Sequence, residues 1–135
     1  MIMPLREKFP VLDNVDSEHW DLIVTVAGVF IATSRLEHMR LTDKQKGPLL
    51  EEIANSLEEW NPDGLRIFVD CKTFFEGEFD RLTARGHEAR YIGSDALGLW
   101  IIWNVLQRAP QNAEETQLLR TVGVMVTGAL FNYWQ

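Results

Sequence analysis

The chain has 135 residues, of which 46% are hydrophobic and 24% are charged. This is the composition of one globular domain with a sizeable core and argues against a disordered chain. Its formal net charge of -7 repels phosphates, which argues against general nucleic-acid binding and against attraction to anionic membranes. The acidity is explained most simply by solubility, and a basic partner is the alternative.

The chain begins with a segment, 1–16, that carries Pro4, Pro10 and scattered charges. We expect it to form an N-terminal arm. A long helix is predicted over 17–40, with Asp16 or Ser17 as its cap, because a short side-chain oxygen can accept from an N–H of the first turn. Apolar residues on more than one side of this helix indicate that neighbouring helices wrap it.

The next helix ends near Trp60 but has two candidate starts. Thr42 and Gln45 form the pattern of a capping box, which would begin the helix there. Gly47-Pro48 then interrupts the run, and since proline is favoured in the first turn, Pro48 could open the main helix instead. The sequence leaves open whether this is one kinked helix or a shorter one. Its opposite faces, one apolar and one acidic, indicate a surface helix, and the apolar residues are Leu49, Leu50, Ile53, Leu57 and Trp60.

Asn61-Pro62 predicts the start of a third long helix, with Asn61 as the cap and Pro62 in the first helical position. This helix would run to about Arg85, and Gly86 would end it. Its main apolar face carries Leu65, Phe68, Cys71, Phe75, Phe79 and Leu82.

Residues 86–93 are predicted to form a loop. A helix follows from a Ser94 cap to Arg108, and its sequence is apolar nearly all round. Asn112 and Glu115 repeat the capping pattern and predict a last helix that runs almost to the end of the chain.

Five segments with helical periodicity predict an all-α fold, a compact bundle of about five helices in a single domain formed by 17–135. The first and last of these segments are rich in valine and isoleucine, so strands are the alternative there. Helices are preferred because each run is longer than a typical strand and carries its own cap.

The single cysteine, Cys71, excludes an intrachain disulfide and favours a reducing compartment. No apolar stretch follows the charges near the start, so no signal peptide is expected. The longest apolar run, 22–32, is too short to span a bilayer. These observations predict a cytoplasmic protein. Cys71 lies on a phenylalanine-rich face, which predicts a buried thiol rather than a nucleophile.

No metal or cofactor is predicted from the sequence. A di-iron bundle would need Glu-x-x-His pairs on one helical face, and a zinc site would need closely spaced Cys and His ligands. Neither pattern occurs in the chain, and glycine-rich phosphate-binding patterns do not occur either.

Two carboxylates of the third long helix are candidates for a special role. Glu78 lies at the border of the apolar face, and a buried glutamate has a raised pKa that often marks a functional site. The simpler interpretation, which we prefer, is a border residue paired with Arg81 or Arg85. Asp70 is expected to pair with Arg66 one turn earlier.

The connection before the fourth long helix concentrates positive charge in an acidic molecule, and Arg and Tyr are favoured at interface hot spots. A solvated connection is an equally simple interpretation. Two tryptophans of the following helix are expected in the core and become binding candidates only if one of them is exposed. No catalytic residue is assigned. The candidate binding residues are Arg85, His87, Glu88, Arg90, Tyr91, Trp100, Trp103 and Glu78.

Three functions are consistent with this sequence. The first is a non-enzymatic protein–protein interaction module of adaptor, immunity or regulatory type, expected to associate with itself as a homodimer because its helices carry more apolar surface than one small bundle can hide. The second is a small-ligand or lipid binder with a cavity lined by Trp100, Trp103 and Phe30. The third is an enzyme with a carboxylate and histidine site. Its candidate residues are Glu78, Asp70, His38 and His87.

Overall fold

The computed structural model describes residues 2–38 and 42–133, and all regular structure in this part of the chain is helical. The predicted all-α, single-domain bundle is confirmed. Within the described residues, no helix combines the length and the apolar character needed to cross a membrane. The elements are α1 (Ile2–Lys8), a 3-10 helix (Pro10–Asn14), α2 (Ser17–His38), α3 (Asp43–Trp60), α4 (Gly64–Ala84), α5 (Ala89–Leu106) and α6 (Ala113–Tyr133).

Helix α5 is the centre of the bundle, with α2, α4 and α6 packed around it. Its sequence is apolar nearly all round, and a helix of that kind is stable only when neighbours cover every side. Two large side chains, Trp20 of α2 and Trp100 of α5, are fully buried in this core. The buried residues of α5 are Ile92, Ala96, Leu97, Gly98, Trp100, Ile101, Ile102 and Val105.

Helices α5 and α6 approach each other so closely that only glycine fits at two positions. A Cβ added at Gly98 would lie 2.0 Å from the carbonyl oxygen of Leu119, and a Cβ added at Gly123 would lie 2.0 Å from that of Ser94. Each glycine therefore places a Cα hydrogen against a carbonyl of the other helix, a weak contact that recurs at close helix–helix interfaces.

The turn between α5 and α6 is held by the buried carboxylate of Glu115. Arg108 donates to it through Nη1 at 2.5 Å and Nη2 at 3.0 Å, and the backbone N–H of Gln111 donates at 3.1 Å. Asn112 Nδ2 donates at 3.0 Å, while Asn112 Oδ1 accepts from the Glu115 N–H at 2.9 Å, which confirms the predicted capping pair. The Arg108 hydrogen bonds are the largest cause lowering the pKa of Glu115 to about 2, against the opposing effect of burial.

The N-terminal segment differs from the predicted arm, because α1 and the 3-10 helix fold onto the core. Pro10 does not disrupt this segment, since it opens the 3-10 helix, where a missing N–H costs no hydrogen bond. Arg6 ties the two helices together by donating to the Leu12 carbonyl at 3.3 Å. Apolar residues three or four positions apart carry the contact with the core, and the buried ones are Leu5, Phe9, Leu12 and Val15.

Helix α3 begins at the first of its two candidate starts and continues through Pro48. The capping box is complete, with the Gln45 N–H donating to Thr42 Oγ1 at 3.3 Å and the Thr42 N–H donating to Gln45 Oε1 at 3.0 Å. Inside the helix Pro48 gives up one backbone hydrogen bond, which weakens the first turns of α3 relative to its second half.

Helix α4 starts two residues later than the Asn61-Pro62 pattern predicts. Asn61 Oδ1 accepts from the Asp63 N–H at 2.9 Å, so Asn61 closes a turn instead of capping the helix. The helix then begins at Gly64, where a side chain would not fit, since a Cβ would lie 2.8 Å from the Leu57 carbonyl oxygen. This tight corner fixes the C-terminal end of α3 against the start of α4.

Candidate functional site

The predicted binding loop 86–93 is shorter than expected, because α5 already begins at Ala89. The reason is local. Ser94 does not cap a helix, and its Oγ instead donates to the Tyr91 carbonyl one turn back at 3.2 Å. Two of the candidate residues, Arg90 and Tyr91, therefore lie in the first turn of α5 rather than in a loop.

The charges near this turn are largely paired with one another. Arg90 Nε donates to Glu88 Oε2 at 3.4 Å, and the Arg90 guanidinium lies over the Tyr91 ring, 4.6 Å from its centroid. His87 Nε2 lies 2.8 Å from Asp95 Oδ2, and Arg120 of α6 approaches the same oxygen at 3.9 Å. This surface therefore combines opposite charges and offers little net field to attract an anion.

Arg85 directly follows α4, and Glu78 lies about two turns before it, within the helix. Arg85 is the exposed residue that ends the helix. Glu78 is shielded, with a side chain only 11% exposed, and it pairs with Arg81: Nε donates to Oε2 at 2.9 Å, and Nη2 contacts Oε1. The interpretation of Glu78 as a border residue with an arginine partner is thus supported, because its carboxylate is bound by Arg81.

The two tryptophans of α5 have opposite environments. Trp100 is fully buried, and its indole N–H donates to Asp70 Oδ2 at 3.0 Å. Trp103 is 43% exposed and meets the ring of Phe74 edge-on, with 5.9 Å between the centroids. The predicted pairing of Asp70 with Arg66 is not observed. Arg66 Nη2 instead lies 3.6 Å from Asp63 Oδ1, and Asp70 accepts a hydrogen bond from the Trp100 indole.

Three of the four residues proposed for an enzyme site each have a different partner in the structure. Glu78 pairs with Arg81 on α4, Asp70 accepts from Trp100, and His87 pairs with Asp95. The side chain of His38 lies outside the described residues, as do the last residues of the predicted 17–40 helix. In the described part of the chain, no group of three His, Cys, Asp or Glu residues is arranged to hold a metal ion.

Two grooves lie along α3, and Phe30, one of the residues expected to line a ligand cavity, lines the first of them. This helix packs loosely because its only buried side chain is that of Leu57, which is 4% exposed. Leu49 and Trp60, on the same apolar face, remain 42% and 50% exposed. The structure thus leaves part of the apolar face of α3 without a partner within the bundle.

The first groove lies between α3 and α4, with α2 as its floor, and has a volume of about 820 Å³. Four phenylalanines line it, together with charged residues of both signs, Lys72, Glu76 and Asp80. We call it the α3–α4 groove. The four phenylalanines are Phe30, Phe68, Phe75 and Phe79.

The second groove lies between α2 and α3, has a volume of about 680 Å³ and is the more apolar of the two. Its one charged lining residue is Glu52. We call it the α2–α3 groove. The α2 side is formed by Thr25, Val29, Ala32 and Leu36, and the α3 side by Leu49, Glu52, Ile53, Ser56, Leu57 and Trp60.

The α2–α3 groove was not identified from the sequence. The spacing of its apolar residues predicts the apolar face of α3, but it does not predict which part of that face the other helices leave exposed. One signal in the sequence points to the groove: α2 carries apolar residues on more sides than one partner can cover, and the small Ala32 leaves a depression beside Val29.

Comparisons of the chain with known protein families, with curated protein sequences and with solved structures gave no match.

Proposed function

We propose that this protein is a non-enzymatic interaction module that binds a helical segment of a partner protein in the α2–α3 groove. The observation that carries the proposal is the half-exposed apolar face of α3, where Leu49 and Trp60 border a groove lined mainly by aliphatic side chains. Large exposed apolar patches rimmed by polar residues mark interaction sites in soluble proteins, and tryptophan is enriched at binding hot spots.

The dimensions of the groove suit a helix. The lining residues span Thr25 to Leu36 on α2 and Leu49 to Trp60 on α3, and at 1.5 Å per residue each wall is about 16 Å long. A partner helix of about three turns would place apolar side chains three, four and seven residues apart along this length, the usual pattern of helix-in-groove recognition.

A second copy of the chain is the other protein that could occupy the groove, as the composition led us to expect. The same surface would then face itself, and its glutamates would repel each other. We therefore favour a different protein as the partner. The mass of the purified chain in solution separates the two cases.

A cytoplasmic location is part of this proposal. Cys71 is fully buried, and burial, with a smaller contribution from Asp70, raises the pKa of its thiol. A chain with one cysteine can form no intrachain disulfide, which fits a reducing compartment.

The test is affinity capture from the native host with three tagged forms of the chain. Ala32→Arg places a long cation in the middle of the groove, and Asn55→Arg places the same residue on the outer face of α3 as the matched control. We expect the wild type and Asn55→Arg to retain the same proteins, identified by mass spectrometry, and Ala32→Arg to lose them.

A second groove variant, Trp60→Gln, tests the groove independently in case Ala32→Arg does not fold. Trp60 is half exposed, so its replacement leaves the core intact. Circular dichroism and thermal melting establish that each variant is folded. The same captured proteins with all four forms would refute the proposal.

A further inference from the structure

The charge on the α3 wall of the α2–α3 groove is of one sign. From Leu49 to Trp60 the helix carries four glutamates and no lysine or arginine, and both lysines of α3 precede Gly47. On the facing stretch of α2, from Thr25 to Leu36, the one charged residue is Arg35. The groove is therefore an apolar channel, and along it α3 carries charges of negative sign only.

The four glutamates divide into two pairs by their position around the helix. With about 100° per residue, Glu52 and Glu59 lie on nearly the same line of α3, two turns apart. Glu52 lines the groove, so Glu59 borders it beside Trp60. Glu51 and Glu58 form an equivalent line about 100° further round, on the outer face that is directed away from α2.

Asp21 extends the acidic border onto α2. It is exposed and lies one turn before Thr25, on the same side of the helix as that groove residue. The α2 border thus carries Asp21 near one end of the groove and Arg35 near the other, whereas the charged residues of the α3 border are all carboxylates.

We infer that the partner segment is a basic amphipathic helix of about three turns, with its apolar side in the α2–α3 groove and its lysines or arginines against Glu52 and Glu59. The two carboxylates are separated by about 10 Å along α3, so cations seven residues apart on the partner helix would meet both. This inference rests on the proposed function and adds the chemistry of the partner to it.

The experiment uses the full chain and three fluorescently labelled 18-residue peptides. The first has leucines three and four residues apart on one side and lysines elsewhere. The second keeps the leucines and replaces every lysine by glutamate. The third has the composition of the first in an order that has no apolar side. Fluorescence anisotropy is measured at low and at physiological salt, since attraction between exposed charges weakens as salt is added.

We expect only the first peptide to bind with a saturable isotherm. The double variant Glu52→Lys/Glu59→Lys should weaken its binding by about tenfold or more, because two attractive contacts become repulsive. The matched control Glu51→Lys/Glu58→Lys changes the net charge of the same helix by the same amount on the outer face, and it should alter the affinity less than threefold.

Three results would overturn the inference. Equal losses in the two double variants would mean general charge attraction rather than docking in the groove. Equal binding of the acidic and basic peptides would remove the role of the carboxylates. A stable dimer of the wild-type chain that Ala32→Arg dissociates, measured by analytical ultracentrifugation, would make a second copy the occupant.

Failure of this inference is distinguishable from failure of the proposed function. If Ala32→Arg loses the captured proteins while the reversal of Glu52 and Glu59 leaves both those proteins and the basic peptide bound, the groove is the docking site and its partner is not basic. If Ala32→Arg and Trp60→Gln both keep the captured proteins, the groove itself is refuted as a docking site.

Discussion

The contact between α5 and α6 gives the sharpest prediction for stability. Replacing Gly98 by alanine adds one methyl group that would lie 2.0 Å from the carbonyl oxygen of Leu119, and real Cβ atoms essentially never come within 3.0 Å of such an atom. Helix α6 must therefore retreat by about 1 Å from α5 at the centre of the core. Overpacking of this kind costs about 1–3 kcal/mol, and we expect about 3 kcal/mol because the clash is with backbone that cannot rotate away.

The matched control is Gly77→Ala in the middle of α4, where an added Cβ meets no atom within 4 Å. There the same substitution should stabilise the protein by about 0.5–1 kcal/mol, because alanine loses less backbone freedom on folding than glycine does. Thermal melting followed by circular dichroism should show Tm about 10 °C lower for Gly98→Ala and a few degrees higher for Gly77→Ala, at roughly 3–5 °C per kcal/mol for a chain of this size. Equal Tm values for Gly98→Ala and the wild type would refute the close approach of the two helices.

Three further predictions concern buried polar groups. The pKa of Glu115 is lowered from 4.5 to about 2 in the folded protein, so its contribution to stability is complete above pH 4.5 and is lost as the pH falls towards 2. Measurements of the free energy of unfolding at decreasing pH should show this loss in the wild type and in Glu114→Gln, whose side chain is exposed. They should not show it in Glu115→Gln. Asp70→Leu leaves the buried Trp100 indole without its acceptor and should lower the free energy of unfolding by about 1–2 kcal/mol in urea titrations, whereas Asp70→Asn keeps an acceptor and should cost less than half as much. Cys71, fully buried and with a raised pKa, should react with iodoacetamide only at the rate of unfolding, and rapid labelling of the native protein would contradict its place in the core.

Helix starts could be predicted from the sequence where a short polar side chain accepts a hydrogen bond from the backbone N–H three residues later. Thr42 with Gln45 and Asn112 with Glu115 form the expected hydrogen bonds. Ser94 has the same residue type as a cap but bonds back to a carbonyl of its own helix. The hydroxyl of serine can do either, and here it bonds back because α5 has already begun at Ala89.

The N-terminal segment shows a different limit of sequence interpretation. Its apolar residues recur at helical spacing, but Pro10 falls between two of them and suggests an interruption. The structure satisfies both observations by joining α1 to a 3-10 helix that starts at the proline. Sequence pattern alone does not fix this change of helix type, because it depends on what the segment packs against.

The candidate site was the least predictable part for a related reason. Leu49 and Trp60 could be assigned to an apolar face, since that follows from spacing alone. Whether a face is covered depends on where Leu57 and Gly64 fix the helix, and that is decided by contacts between residues of α3 and α4. Charged residues near His87 were predicted as binding candidates from the sequence. In the structure, His87 pairs with Asp95 and Arg90 pairs with Glu88.

The central position of α5 also has a consequence for how the protein is made. Helix α2 is complete once His38 has been added, but it gains only part of its cover from α4 and the rest when α5, complete at Leu106, and then α6 have been made. At 5–20 residues per second, ribosomes take roughly 3–14 s to add the intervening chain. During that interval the nascent helices expose the surfaces that chaperones bind, so codons that slow translation between α2 and α5 should lower the yield of native protein more than slow codons after α6.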